Sequence, residues 1–495
     1  MAVKSKKSGL SQKVMKVMML FTGMQFFTIL CSIIKTKLVA LWLSADGVGL
    51  FGILNTTIDT TATLTDMGLR QSAVRDVAQN SQKPSLLART AEVVRRWSRL
   101  TGAFGAVVLC ALAVPLSQWF FASYDRWWMF ALVSLSMLLN AITGGEQALL
   151  QGSQHLKDLL RATVWGSAAG LILSIPLYRW CGLTGVVWSV IIYSAAGLVA
   201  VLYHRLRTPH SSTHPLFHSS THPPINSSSR LSSREVWNEG KGFMKLGLWM
   251  AVAAFVTNMT HMIFLAFLSR KASLAEVGYY QGGVTLVVRY MGLIFTAMSM
   301  EFYPRLAANA FSKKRTALFV NHEATVLLTV LIPVIAIFLL ARQWIVLLLY
   351  RPEFMAMIPF ISWAVLSCVF KASSWCMAYV MLARGDGKIY LITEATDACV
   401  GLLLCIGAYN CIGLQGVGIA YILWYLLYTV IVGCVFRFRY KMRLRPSVVF
   451  LALLAFALGM ASLFSMDRLP MPWNYILPAC IALASLPFVV RIWEK

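Results

Sequence analysis

Val48-Gly49-Leu50-Phe51 returns 229 residues later as Val277-Gly278-Tyr279-Tyr280. Gly182-Leu183-Thr184-Gly185-Val186 returns 231 residues later as Gly413-Leu414-Gln415-Gly416-Val417, and in that register Gly170-Leu171 and Tyr178 fall on Gly401-Leu402 and Tyr409. Two matches far apart at nearly one offset read as an internal duplication, which divides the chain before any finer reading. Each copy holds six long apolar runs and two more come after the second copy. The runs lie near 17–43, 48–69, 98–120, 127–150, 162–180, 183–203, 243–268, 277–302, 319–341, 357–382, 389–409, 416–436, 447–464 and 474–492. A helix crossing a bilayer takes roughly 20 mostly apolar residues. The expected fold is therefore an all-α polytopic membrane protein of about 14 transmembrane helices. Residues 1–203 form an N-terminal lobe, 204–242 a linker, 243–446 a second lobe, and 447–495 two appended spans.

Composition agrees with this reading. Of 495 residues 58% are hydrophobic and 13% charged, against ~45–50% and ~25% for soluble domains. Lys and Arg number 44 and Asp and Glu 19, an excess that in a soluble chain would point to nucleic acid. With the N-terminus inside, 33 of the 44 basic residues fall on cytoplasmic segments and seven on outer loops: Arg126, Arg179, Arg270, Lys271, Arg342, Arg351 and Arg468. The positive-inside bias thus accounts for most of the charge, places both termini in the cytoplasm, and leaves no need for a nucleic-acid partner. Each lobe has six spans and starts inside, so the lobes are parallel repeats related by an axis along the membrane normal, as in secondary transporters. The basic N-terminus before a long apolar run, with no small-residue cleavage site, reads as a retained first span rather than a signal peptide.

Several chemistries are disfavoured. The ten cysteines form no CxxC pair and no Cys/His cluster of metal spacing, so neither a disulfide framework nor a metal site is expected. No phosphate-binding P-loop occurs, and Arg384-Gly385-Asp386-Gly387-Lys388 reads as a short turn. No cofactor and no catalytic residue is expected. The linker carries a tandem octapeptide starting at His210 and His218, which reads as a duplicated disordered segment rather than a metal tract.

The informative residues are ionisable groups inside spans, each costing about 2.5–3.5 kcal/mol at a helix centre on the insertion scale. Arg289 and Lys371 lie at the midpoints of their spans and read as substrate-binding cations. Lys35 and Lys37, in the outer half of the first span, join them, although two residues apart they point about 200° apart and cannot both face one cavity. Asp59 lies at the midpoint of the most polar span, among Asn55, Thr56, Thr57, Thr60, Thr61, Thr63 and Thr65. By the 229 offset it maps beside Arg289, which makes the two a candidate gating pair. Glu394 and Asp397, spaced i and i+3, put two carboxylates on one helix face, a plausible proton or cation coupling site. Glu146 reads as solvated at a span end, and His261 as a hydrogen-bonded core residue.

Ala45-Asp46-Gly47-Val48-Gly49-Leu50-Phe51-Gly52, with Gly68-Leu69-Arg70-Gln71-Ser72-Ala73-Val74-Arg75 after it, resembles the opening of bacterial oligosaccharide flippases of the O-antigen (Wzx) type. These belong to the multidrug/oligosaccharidyl-lipid/polysaccharide exporter superfamily. The resemblance implies two lobes around a cationic cavity, alternating access, and an undecaprenyl-pyrophosphate-linked oligosaccharide as substrate in the bacterial inner membrane. It also implies proton or sodium coupling and polysaccharide polymerases as partners. A lipid II flippase, an ion-coupled multidrug exporter of the same superfamily, and a membrane polysaccharide polymerase or ligase are the alternatives. Short outer loops disfavour the polymerase, and central bases disfavour a cationic drug.

Overall fold

The computed structural model describes residues 2–66, 69–80, 84–153, 155–207 and 233–493; the tandem octapeptide of the linker lies outside them. Among the described residues there are helices and no strands. The chain divides into two compact units, residues 1–43 with 54–255, and residues 44–53 with 256–495. The helices are α1 (Ala2–Asp66), α2 (Leu69–Asn80), α3 (Pro84–Ala111), α4 (Ala113–Phe121), α5 (Trp127–Gly152), α6 (Leu156–Trp180), α7 (Gly182–Arg207) and α8 (Ser233–Lys271). They continue with α9 (Leu274–Val284), α10 (Met291–Ala308), α11 (Lys313–Leu349), α12 (Ile358–Ala364), α13 (Ser367–Ala383), α14 (Gly387–Ile412), α15 (Leu414–Cys434), α16 (Pro446–Arg468) and α17 (Trp473–Trp493).

Among the described residues eleven helices are long and apolar enough to cross a membrane, and 13 if each of two bent pairs counts as one span. The Gly23–Asp66 stretch of 44 residues is about twice what one crossing requires. It is interrupted at Ser44, whose φ of 59° is non-helical, and the break separates the first two spans expected from sequence. The chain is thus a multi-pass helical membrane protein of about 14 spans.

The breaks have local causes. Between α3 and α4 the axis turns by 53° at Leu112, where the ring of Pro115 clashes with the carbonyl four residues back and supplies no N–H. Between α12 and α13 the turn is 51°; there the Ser367 hydroxyl donates to the Ala364 carbonyl at 2.6 Å, a back-bond that bends helices. Between α9 and α10, Thr285–Tyr290 form a π-helical turn, which inserts an extra residue per turn and re-aims the helix beyond it. Arg289 sits in it.

Two expectations are corrected by packing. Glu146 is buried rather than solvated, its carboxylate accepting from Arg95 Nε at 2.8 Å and Arg205 Nη1 at 3.0 Å. Arg342 does not lie in an outer loop, because α11 runs on to Leu349. It is buried, donating to Ser362 Oγ at 2.7 Å and to Asp467 Oδ1, which ties α11 to α12 and α16. The threonines of α1 hydrogen-bond their own helix: Thr60 Oγ1 donates to the Thr56 carbonyl at 2.7 Å, Thr61 to Thr57 at 2.9 Å, and Thr65 to Thr61 at 3.1 Å. Thr57, Thr60, Thr61 and Thr65 are buried inside the first unit, so that span's polarity is met largely by its own backbone rather than by water.

Candidate functional site

In the second unit three sequence-predicted residues come together: Lys371, assigned to the substrate, and Glu394 with Asp397, assigned to coupling. Lys371 projects from α13 over the Tyr425 ring, its ammonium 5.2 Å from the centroid, and lies 5.7 Å from that of Phe295. Asp397 and Glu394 of α14 are within electrostatic range of the same ammonium. Asp397 accepts the indole N–H of Trp424 at 2.6 Å, and Glu394 accepts the Tyr428 hydroxyl at 2.5 Å. Trp424 and Tyr428 are one turn apart on α15, as Asp397 and Glu394 are on α14, so two neighbouring helices are laced acid to aromatic in register. Gly401 makes the approach possible: a Cβ there would lie 2.2 Å from the Trp424 ring. Thr429 Oγ1 donates to the Phe370 carbonyl at 2.9 Å, fixing α15 to the helix that carries Lys371. The arrangement is a lysine in the electrostatic range of two carboxyl groups, each accepting an N–H or O–H from an aromatic side chain.

Beside it runs a buried aromatic chain. The Tyr280 and Tyr421 hydroxyls meet at 3.0 Å, and Trp424 stacks on Tyr425 with centroids 5.3 Å apart. His261 packs edge-on to Tyr280 at 5.9 Å, but its Nε2 is buried with no hydrogen-bond partner among the described residues, which departs from the satisfied core histidine expected. Arg289 is exposed in the π turn, within electrostatic range of His261 and Tyr350.

Residues 44–53 also belong to the second unit, and here the duplication becomes a contact. A Cβ on Gly49 would lie 2.3 Å from the Leu274 carbonyl oxygen, and one on Gly278 2.0 Å from the Ala45 carbonyl oxygen. The repeat-related glycines therefore mark one close helix crossing. The segment after α11 clamps it: the Ala45 N–H donates to Glu353 Oε1 at 3.0 Å, and Arg351 Nη1 donates to Ser44 Oγ at 2.9 Å.

In the first unit, Lys35 is buried with its ammonium 4.3 Å above the Tyr193 ring, while Lys37 is half-buried. The two diverge as their spacing requires, and Lys35 does not snorkel. Asp59 is exposed to a cavity of about 180 Å³, which it lines with Asp66, Arg70, Ser98 and Asn140.

Sequence reading missed Trp424, Tyr425 and Tyr428. A signal existed: aromatic residues with polar tips in mid-span, away from the interfacial belts, need a buried partner. It also missed Arg351 and Glu353, which nothing in their local sequence distinguishes from loop charges. The Arg384–Lys388 segment serves packing, since Asp386 Oδ2 accepts from the Tyr440 hydroxyl at 2.7 Å. Among the described residues no cluster of three or more His, Cys, Asp or Glu could hold a metal.

Long spans with breaks at charged or strained positions, and a cation-carboxylate cluster inside them, define a polytopic membrane protein with ionisable groups inside its spans. The fold is similar to that of a multidrug resistance MATE family transporter of the MOP superfamily in an inward-facing conformation, with a TM-score of 0.68, 14% identity, and 84% of this chain and 94% of that chain covered. It is also similar to the lipid II flippase MurJ in an inward closed conformation, with a TM-score of 0.66, 12% identity, and 96% and 98% covered. In sequence, the lipid III flippase of Escherichia coli (strain K12) is 22% identical over 395 residues, covering 79% of this chain and 90% of that one. Residues 14–310 match the polysaccharide biosynthesis protein family. The chain belongs to that family.

Proposed function

We propose that the protein is a flippase carrying an undecaprenyl-pyrophosphate-linked oligosaccharide, an O-antigen or other surface-polysaccharide repeat unit, across the bacterial inner membrane by alternating access. The family membership and the lipid III flippase relative support this substrate class. The observation that carries the reading is Lys371, a cation held among aromatic faces and two acids in the second unit. A pyrophosphate moving through hydrocarbon needs such cations at membrane depth.

In this reading Asp397 and Glu394 neutralise Lys371 when no substrate is bound. Protonation of the acids releases the ammonium to the pyrophosphate, which links the ion gradient to substrate affinity. The coupling ion is a proton or sodium; the two carboxylates accept from Trp424 and Tyr428 and lie in the electrostatic field of Lys371. Arg289, Lys35 and Lys37 add positive charge for the anionic headgroup. By the repeat, Asp59 is the counterpart of the position beside Arg289, and we assign it to gating on that ground.

The test is complementation of a flippase-null strain with Lys371→Gln and Arg289→Gln, with membrane insertion checked separately. Loss of surface polysaccharide at normal insertion supports the reading, and wild-type complementation by both variants overturns it. Vesicle transport under imposed proton and sodium gradients decides the coupling ion.

A further inference from the structure

We infer that the first unit holds a second anion site, for the phosphate headgroup of a membrane lipid, at the end of the bundle where α3 begins and α5 and α7 end. A cavity of about 220 Å³ opens there. Three guanidinium groups line it, Arg95 and Arg99 from α3 and Arg205 from α7, against one carboxylate, Glu146 from α5. Glu146 is buried and accepts from Arg95 through Nε at 2.8 Å and Nη2 at 3.4 Å, and from Arg205 Nη1 at 3.0 Å. Its role is to aim two guanidinium groups. Arg99 is exposed at the mouth of the cavity, and guanidinium groups held around one buried carboxylate offer planar N–H forks to a phosphate.

A second observation points the same way. Ser98 is 2% exposed, lines the same cavity, and its Oγ has no hydrogen-bond partner among the described residues. A hydroxyl in that position can donate to a phosphate oxygen, as the planar forks of arginine do. The rest of the wall is apolar, formed by Ile142, Leu198 and Leu202. Basic groups beside an aliphatic wall fit a molecule with a phosphate head and a hydrocarbon tail better than a free ion. The location suits this ligand, because α7 leads into the basic linker on the side that the charge count makes cytoplasmic, where anionic headgroups line the leaflet. The site does not depend on what the protein transports, since none of its residues belongs to the Lys371 cluster.

The probes are dioleoylphosphatidic acid, dioleoylglycerol with the same tails and no phosphate, and inorganic phosphate, each titrated against the full-length protein in non-ionic detergent and read by native mass spectrometry. One saturable phosphatidic acid site is expected, with dioleoylglycerol and inorganic phosphate at least about tenfold weaker. Arg99→Gln, which leaves the Glu146 ion pairs intact, should weaken phosphatidic acid binding by about tenfold. Glu146→Gln, where it folds, should strengthen it, because the competing carboxylate is gone. Equal binding of dioleoylglycerol would reduce the cavity to an apolar groove, and equal binding of inorganic phosphate would make it a free-anion site. Either result overturns the proposal, as does an Arg99→Gln protein that binds phosphatidic acid like wild type.

Discussion

Thr163, Gly166, Gly170, Tyr193 and Gly197 of the first unit stand 231 residues before Glu394, Asp397, Gly401, Trp424 and Tyr428 of the second. The aromatic seat is retained in both: a Cβ on Gly170 would lie 2.6 Å from the Tyr193 ring, and one on Gly401 2.2 Å from that of Trp424. Each seat has a lysine near it, Lys35 above Tyr193 and Lys371 above the neighbouring Tyr425. Between α6 and α7, however, a Cβ on Gly166 would lie 3.0 Å from the Gly197 Cα, so the backbones close on each other. Between α14 and α15 the same two positions carry Asp397 and Tyr428, and the space holds acid-aromatic hydrogen bonds. A duplicated scaffold has been zipped with glycine in one copy and filled with titratable groups in the other. The lesson is that hydrogen-bonded acid-aromatic pairs occupy these positions in the second unit only, while the lysine on an aromatic face is common to both.

The largest effect that could break this contrast is at the lysines. Lys371→Gln leaves two carboxylates without their cation, and truncating one partner of a buried charged set costs about 2–5 kcal/mol, so transport in vesicles should fall by about thirtyfold or more. Lys35→Gln, in a seat where Thr163 and Gly166 stand at the positions of the two acids, should cost clearly less; equal losses would make the two seats functionally equivalent. Next in size, Asp397→Asn should remove the dependence of transport on a proton gradient while some downhill movement persists. Retained gradient dependence would move the coupling site elsewhere, with Asp59 the next residue to change.

Smaller effects sharpen the packing side of the comparison. Gly170→Ala and Gly401→Ala both push a side chain into an aromatic ring, and overpacking of this kind costs typically about 1–3 kcal/mol, measurable as a lowered melting temperature of the purified protein. Only Gly401→Ala should also impair transport, because only its ring orients a carboxylate. Tyr428→Phe, comparable in size, removes one hydrogen bond to a charged acceptor, about 1.5–3 kcal/mol. It should weaken transport moderately and leave Asp397-dependent coupling in place. A Tyr428→Phe protein as defective as Asp397→Asn would mean that the two acids act as one unit.

Much of the architecture was legible because the bilayer imposes it on composition. Apolar runs mark spans, and a repeat at one offset marks two copies. The misreadings occurred where length and hydropathy say nothing about neighbours. Arg342 looks like a loop charge until α11 is seen to continue past it, and Glu146 looks solvated until Arg95 and Arg205 arrive from other helices. For the candidate site, residue types were visible but their grouping was not. Lys371, Glu394 and Asp397 are each conspicuous in a span, yet the sequence offers no reason to place the first with the other two.

Composition and hydropathy alone set the class of molecule, the approximate number and order of its spans, and which few ionisable residues sit at membrane depth, because a charge in hydrocarbon is costly wherever it occurs. The partners of those residues come from the folded packing. Helix-to-helix register, set by where glycines let backbones approach, brings Trp424 to Asp397 and Tyr428 to Glu394 and closes the equivalent gap at Gly166 and Gly197. That register depends on side-chain volumes from helices distant in sequence, a three-dimensional sum that no local pattern encodes.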